Sequence, residues 1–172
     1  SGTGVCTIHY NQAGDANYTP ALEVIENTNA QKADQAINVN IPAPANATYN
    51  TGFNVAATAT SGLTVTYTAT GICTNVGSNY TVTSGTGVCT VQYNQAGDAN
   101  YNPAPQVTNT TNAQKANQTI NVTTPAPAAA AYGSNFAVSA NSSSGLAVVY
   151  SSVGSCTNAG PTYNMTLPTG TC

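Results

Sequence analysis

The chain has 172 residues, of which only two are basic and five are acidic, and its formal net charge is −3 at pH 7. Two basic residues provide no electrostatic footprint for nucleic acid or for an anionic lipid surface. The apolar runs are far shorter than the roughly 20 residues that span a bilayer, and the richness in Val, Thr and Tyr argues against a disordered chain.

The first element in the chain is a 32-residue segment that recurs later. Ser1–Lys32 and Ser84–Lys115 are identical at three quarters of their positions, at an offset of 83 residues. The same offset relates Cys6 to Cys89, Cys73 to Cys156, and Cys89 to Cys172. A fixed period of this kind is typical of a tandem array of one structural unit. The sequence therefore predicts three parts: the C-terminal part of a repeat in residues 1–32, a complete repeat in residues 33–115, and the N-terminal part of the next repeat in residues 116–172.

Short strands are predicted along the complete repeat, because apolar side chains alternate with other residues and no segment keeps a helical period. In chain order the predicted strands include Gln35–Val39, Phe53–Ala59, Leu63–Ala69, Tyr80–Val82, Cys89–Tyr93 and Gln106–Thr111. Gly, Pro, Asn and Asp residues separate them. About six or seven strands with turn signals every 8–12 residues are typical of a β-sandwich. We therefore expect an all-β fold of tandem sandwich repeats.

The cysteines predict one disulfide in each repeat. Cys73 pairs with Cys89 and Cys156 with Cys172, and each pairing closes a loop of about 17 residues, which is worth roughly 3 kcal/mol in the chain-entropy model. Cys6 then has its partner outside residues 1–172. The alternative is a metal site, but the chain has no closely spaced cysteine pair and a single His, so no metal is expected. Disulfides indicate an oxidising compartment.

The repeat resembles the bacterial immunoglobulin-like repeats of large cell-surface proteins, particularly the MBG-type modules of adhesins. The residues that carry the resemblance are Ala47-Thr-Tyr49 leading to Phe53, Ser61-Gly-Leu63-Thr-Val-Thr-Tyr67, Gly87-Val-Cys89-Thr-Val91 and Gln95-Ala-Gly-Asp-Ala-Asn-Tyr101-Asn-Pro103, followed by the joint Gln114-Lys115-Ala116. The resemblance covers the whole chain and implies secreted, tandemly repeated stalk modules with an immunoglobulin-like fold. The chain differs from these modules in its scarcity of charged residues.

Catalytic and ligand-binding patterns are weak. The single His9 is replaced by Gln92 one repeat later, so no repeated Ser-His-Asp set exists, and no paired carboxylates or phosphate loops are present. Asp15 and Asp98 lie in repeated turns that are open to two interpretations, a calcium loop or a turn in which the carboxylate bonds its own backbone. We favour the turn, and we interpret Lys32 and Lys115 as solvated linker residues.

Eight Asn-x-Ser/Thr sequons are candidate glycan acceptors. They begin at Asn17, Asn46, Asn79, Asn109, Asn117, Asn121, Asn141 and Asn164. Most of them do not recur at the 83-residue offset, which is expected of chance occurrence in a chain rich in Asn and Thr.

Together these patterns predict a structural repeat of an extracellular stalk or filament, at a cell surface or in a secreted fibre, without catalysis or cofactor. The expected partners are copies of itself, as neighbouring repeats or filament subunits, with no nucleic acid and no membrane span. The alternative is an adhesion module that binds a glycan or a host protein, although the chain shows no aromatic or acidic binding cluster.

Overall fold

The computed structural model describes residues 2–172, so Ser1, the first residue of the predicted partial repeat, lies outside the described residues. Within the described part the chain forms sixteen strands and no helix, which confirms the all-β class. It divides into two units, Ser1–Ala116 and Asn117–Cys172.

The first unit begins with an antiparallel hairpin, in which β1 (Val5–Tyr10) pairs with β2 (Val24–Asn29). Nine strands follow it: β3 (Ile37–Ile41), β4 (Asn46–Thr48), β5 (Gly52–Asn54), β6 (Ala56–Ala59), β7 (Thr66–Gly71), β8 (Cys73–Val76), β9 (Asn79–Val82), β10 (Val88–Asn94) and β11 (Val107–Gln114).

These nine strands form three sheets. The largest has the order β4-β11-β10-β7, in which only the β4–β11 pairing is parallel. The second has the order β5-β9-β8, and the third is the antiparallel pair β3–β6, which contains a bulge between Val39 and Ile41. All three sheets lie within residues 33–115, the predicted complete repeat.

The core of this repeat receives side chains from all three sheets. Tyr80 on β9 and Val91 and Tyr93 on β10 are almost fully buried, and Ile37 on β3 packs into the same cluster. The other buried members of the cluster are Val55, Ala59, Val65, Cys73 and Cys89. Alternate residues of β10 face this core, as the sequence pattern predicts for a half-buried strand.

One predicted strand is divided in the structure. Phe53–Ala59 was expected to be continuous, but β5 pairs with β9 and β6 pairs with β3, so the chain changes sheet at Val55. The Val55 N–H bonds the Ser78 carbonyl oxygen at 3.1 Å at this crossing. The alternating side chains Phe53, Val55, Ala57 and Ala59 still contact the core, because alternation determines which face is buried and not which strand is the partner. This crossing, together with the short strands β4 and β8, gives nine strands where six or seven were expected.

The second unit repeats the strands of the first at the same offset. Its strands are β12 (Ile120–Thr124), β13 (Asn135–Ala137), β14 (Ser139–Ser142), β15 (Cys156–Ala159) and β16 (Thr162–Met165). Each lies 83 residues after β3, β5, β6, β8 and β9 respectively, with the same pairing partners. Even the bulge recurs, between Val122 and Thr124. The stacked pair Phe53–Tyr80 likewise recurs as Phe136–Tyr163, with ring centroids 5.4 Å apart in both.

Two segments of the second unit correspond to strands of the first but form no strand themselves. Residues 129–131 and 149–154 correspond to β4 and β7 but form no strand. In the first unit β4 pairs with β11, and β7 pairs with β10. Residues 117–172 correspond to residues 34–89, so this unit contains neither a β11 nor most of a β10 to pair with.

Candidate functional site

Two disulfides bridge corresponding positions in the two units. Cys73 bonds Cys89 with a Cα–Cα distance of 5.3 Å, and Cys156 bonds Cys172 with a distance of 5.2 Å. Cys73 begins β8 and Cys89 lies in β10, so the first disulfide joins two different sheets. Disulfides of this kind are typical of an oxidising, non-cytoplasmic compartment.

Cys6 is free and exposed. It corresponds to Cys89 in the 83-residue repeat, and no other described cysteine is unpaired. Its predicted partner lies outside residues 1–172, so that pairing stays a prediction.

Tyrosine hydroxyls make the polar contacts of the core. The Tyr80 hydroxyl donates to the Thr68 carbonyl oxygen at 3.0 Å, and the Tyr93 hydroxyl donates to Asn109 Oδ1 at 2.9 Å. Burial, with smaller contributions from Tyr93 and Tyr67, raises the pKa of Tyr80 to about 12. Burial also raises the pKa of Tyr93. Both hydroxyls therefore stay protonated and act as hydrogen-bond donors rather than as bases.

Two buried glutamines form a polar network that the sequence patterns did not reveal. Gln35 Nε2 donates to Gln95 Oε1 at 2.5 Å and to the Asn102 carbonyl oxygen at 2.7 Å, while the Ser61 hydroxyl donates to Gln35 Oε1. Among the described residues no buried side-chain nitrogen or oxygen lacks a partner. The network is therefore structural, since it offers no free polar group to a ligand. The sequence does contain one indication of this network, because both glutamines recur at the 83-residue offset, as Gln118 and Gln12.

The repeated aspartates sit in hydrogen-bonded turns. Asp98 Oδ1 accepts the backbone N–H groups of Asn100 and Tyr101 at 2.7 and 2.8 Å, and Asp15 accepts those of Asn17 and Tyr18 at 2.8 and 2.9 Å. In both turns the carboxylate therefore bonds its own backbone, which is the interpretation that we favoured over a calcium loop. Across the described residues no group of three or more His, Cys, Asp or Glu side chains could hold a metal ion.

The joint between the hairpin and the following repeat is held by specific contacts. Lys32 Nζ donates to the Asp98 carbonyl oxygen at 2.7 Å, and the Gly2 N–H donates to Asn100 Oδ1 at 3.0 Å. Ala33 exchanges two backbone hydrogen bonds with the same turn. Lys32 is exposed, as expected of a solvated linker residue, and its ammonium group also bonds the turn of the next repeat.

The sequons differ in accessibility. Asn109 is partly buried, and its side-chain amide bonds Tyr93, Ala43 and Thr108. The other seven are exposed, namely Asn17, Asn46, Asn79, Asn117, Asn121, Asn141 and Asn164. Glycosylation of any of them stays a prediction.

An open groove of about 550 Å³ runs along the second unit. Apolar and small side chains line it, including Phe136, Val138, Tyr163 and Met165, with Ala126–Ala130 along one border. Residues 116–172 contain no Asp, Glu, Lys, Arg or His. The groove can therefore bury an apolar surface, but it provides no acid, base or metal ligand of these types.

No helix in the described part of the chain has the length and apolar character that crossing a membrane requires. Comparisons of the chain with protein-family models, with curated proteins and with solved structures gave no match.

Proposed function

We propose that the chain is a non-catalytic structural repeat of an extracellular stalk or filament, built from tandem immunoglobulin-like β-sandwich modules with one disulfide per 83 residues. The recurrence of strand bounds, bulge, aromatic stack and disulfide at one offset supports this proposal most strongly. Stacked repeats of one unit contact mainly their neighbours, so the reach of such an array grows with its copy number.

The contacts at the joint support a mechanical role. Lys32 and Gly2 attach one repeat segment to the turn at Asp98–Asn100 of the next, in addition to the covalent link. The disulfide between β8 and β10 prevents the two sheets from separating completely, even when the module unfolds. Few charges and two Lys residues also give a surface with weak salt sensitivity and few trypsin sites.

Surface labelling and a glycan array test this function together. Antibodies against the chain are expected to label the outside of intact cells that make it, and the isolated chain is expected to bind no glycan specifically. Specific micromolar binding on the array would favour the alternative, an adhesion module. Labelling only after the cells are opened would contradict the extracellular role.

A further inference from the structure

The joint between residues 32 and 33 is bonded to one turn of the complete repeat, formed by residues 95–102. Lys32 Nζ donates to the Asp98 carbonyl oxygen at 2.7 Å. Ala33 forms a parallel bridge with Tyr101, in which its N–H and its carbonyl oxygen each bond a neighbour of Tyr101 at 2.9 Å. The backbone of the joint is therefore held on both sides of the peptide bond that links the repeats.

The next two residues bond the same turn through their side chains. Asp34 Oδ1 accepts the Asn102 side-chain amide at 2.9 Å, and Gln35 Nε2 donates to the Asn102 carbonyl oxygen at 2.7 Å. Four consecutive residues are thus fixed to one turn, whereas a flexible linker behaves as a random coil in water. Asp34 and Asp98 are also the only acidic residues of residues 33–115, so the Lys32 ammonium lies where the negative charge of this repeat is concentrated.

The turn that receives the joint is shaped by its own local bonds. The Asp98 N–H donates to the Tyr101 carbonyl oxygen at 3.1 Å, and Asp98 Oδ1 accepts the Tyr101 N–H at 2.8 Å. An identical stretch of sequence earlier in the chain forms the same two bonds between Asp15 and Tyr18, at 3.0 and 2.9 Å. A surface that is shaped locally is preorganised, which lowers the entropic cost of docking on it.

The other half of the contact is a glycine turn at the end of a repeat. The Gly2 N–H donates to Asn100 Oδ1 at 3.0 Å, and a Cβ added to Gly2 would lie 2.8 Å from the Ala99 carbonyl oxygen. In the complete repeat the corresponding Gly85 lies against Lys115, with a Cβ position 3.2 Å from Lys115 Cα. The glycine and the lysine that make the contact at the first joint are thus also neighbours at the end of the complete repeat.

The receiving turn and this glycine–lysine surface lie at opposite ends of the β10–β11 pair. β10 leads from the glycine turn to residues 95–102, and the antiparallel β11 returns to Lys115. Each repeat therefore carries a receiving surface at one end and a docking surface at the other. This is a head-to-tail arrangement, in which each repeat contacts its neighbours along an array.

We propose that the turn of residues 95–102 is the site at which a repeat receives the end of the repeat before it, and that this contact holds the two in one orientation. The proposal rests on the proposed function and adds that the joints of the stalk are docked rather than hinged. It also implies that the Lys32–Ala33 bond is a poor protease substrate, since cleavage requires the joint to open locally.

Trypsin digestion of the chain under native conditions tests whether the joint is docked. All samples carry Cys6→Ser, which prevents thiol cross-links between chains. Cleavage after Lys32 is expected to be about 100-fold or more slower than in a synthetic peptide of residues 26–39, because the rate follows the population of the open joint. Asn100→Ala removes the acceptor of the Gly2 N–H and is expected to raise the cleavage rate of the chain by about 5-fold, the equivalent of one hydrogen bond.

Asn17→Ala is the matched control, because it removes the same side chain from the identical earlier turn, where this side chain is exposed. It is expected to leave the rate of cleavage after Lys32 unchanged. Cleavage of the unsubstituted joint as fast as in the peptide would overturn the proposal, and so would equal acceleration by both substitutions.

Residual dipolar couplings of the same protein test the orientation directly. Backbone N–H couplings from β1 and β2 and those from β7, β10 and β11 are expected to fit one alignment tensor. Two unlike tensors would show a hinge at the joint and would overturn the proposal. Neither a hinge nor fast cleavage would contradict an extracellular stalk repeat, which surface labelling tests separately.

Discussion

The core of the complete repeat depends on tyrosines whose rings are buried and whose hydroxyls find nearby acceptors. Tyr80 stacks on Phe53 and donates to the Thr68 carbonyl oxygen. The Tyr67 hydroxyl donates to the Ala57 carbonyl oxygen at 3.4 Å and accepts the Ala57 N–H at 3.1 Å. These bonds explain how large polar residues occupy the interior, since a buried hydroxyl without a partner costs about 1–3 kcal/mol.

The raised pKa of Tyr80 predicts a loss of stability at alkaline pH. An unfolded tyrosine ionises near pH 10, whereas burial raises the pKa of folded Tyr80 to about 12, so the folded state holds this proton more tightly. Its contribution to the free energy of unfolding is complete below pH 10 and is lost as the pH rises from about 10 to 12. Urea unfolding across this range is expected to show the decline.

Tyr80→Phe is expected to make that decline shallower, at the cost of the hydrogen bond to Thr68. Tyr132→Phe removes a hydroxyl from an exposed side chain and is the matched control. A free energy of unfolding that stays constant through pH 12 would show that Tyr80 is not buried as the structure has it.

At the scale of elements, the end of β7 requires glycine. Gly71 has a φ of +85°, and a Cβ added there would lie 2.2 Å from the Val88 carbonyl oxygen. The β7–β10 ladder ends here, with Gly71 opposite Cys89. Gly154 repeats the arrangement, with a Cβ position 2.2 Å from the Thr171 carbonyl oxygen. Close approach of the two backbones is thus a property of the repeat, next to each disulfide.

Gly71→Ala is expected to lower the free energy of unfolding by about 3 kcal/mol, because it adds a backbone clash to an unfavourable φ. Gly77→Ala is the matched control. Its φ is +57° and its Cβ would meet nothing within 4 Å, so it is expected to cost about 1–2 kcal/mol. Equal costs in thermal or urea unfolding would contradict the close approach of Gly71 to β10.

At the scale of the whole molecule, the features that depend on periodicity could be predicted from the sequence. Alternation predicted the buried face of β10, and the 83-residue offset predicted corresponding strands in both units. Strand pairing could not be predicted in the same way, because alternation with a period of two does not determine which strand is the partner. For this reason the change of sheet at Val55 was missed.

The polar contacts between distant positions were missed for a related reason. Gln35 and Gln95 are 60 residues apart, and Lys32 and Asp98 are 66 apart. Polar side chains in loops and joints follow no hydrophobic period, so only the folded chain shows which of them meet.

The central claim is that each 83-residue repeat is a separate module with its own disulfide, and trypsin provides the most direct test. Its only sites, Lys32 and Lys115, fall at the two predicted joints. After the free thiol is alkylated, digestion of the denatured, unreduced chain should release peptides 1–32, 33–115 and 116–172 as separate species. The first should carry the alkyl group, and each of the others should hold one internal disulfide. Mass spectrometry that finds any two peptides joined until reduction would contradict the modular account.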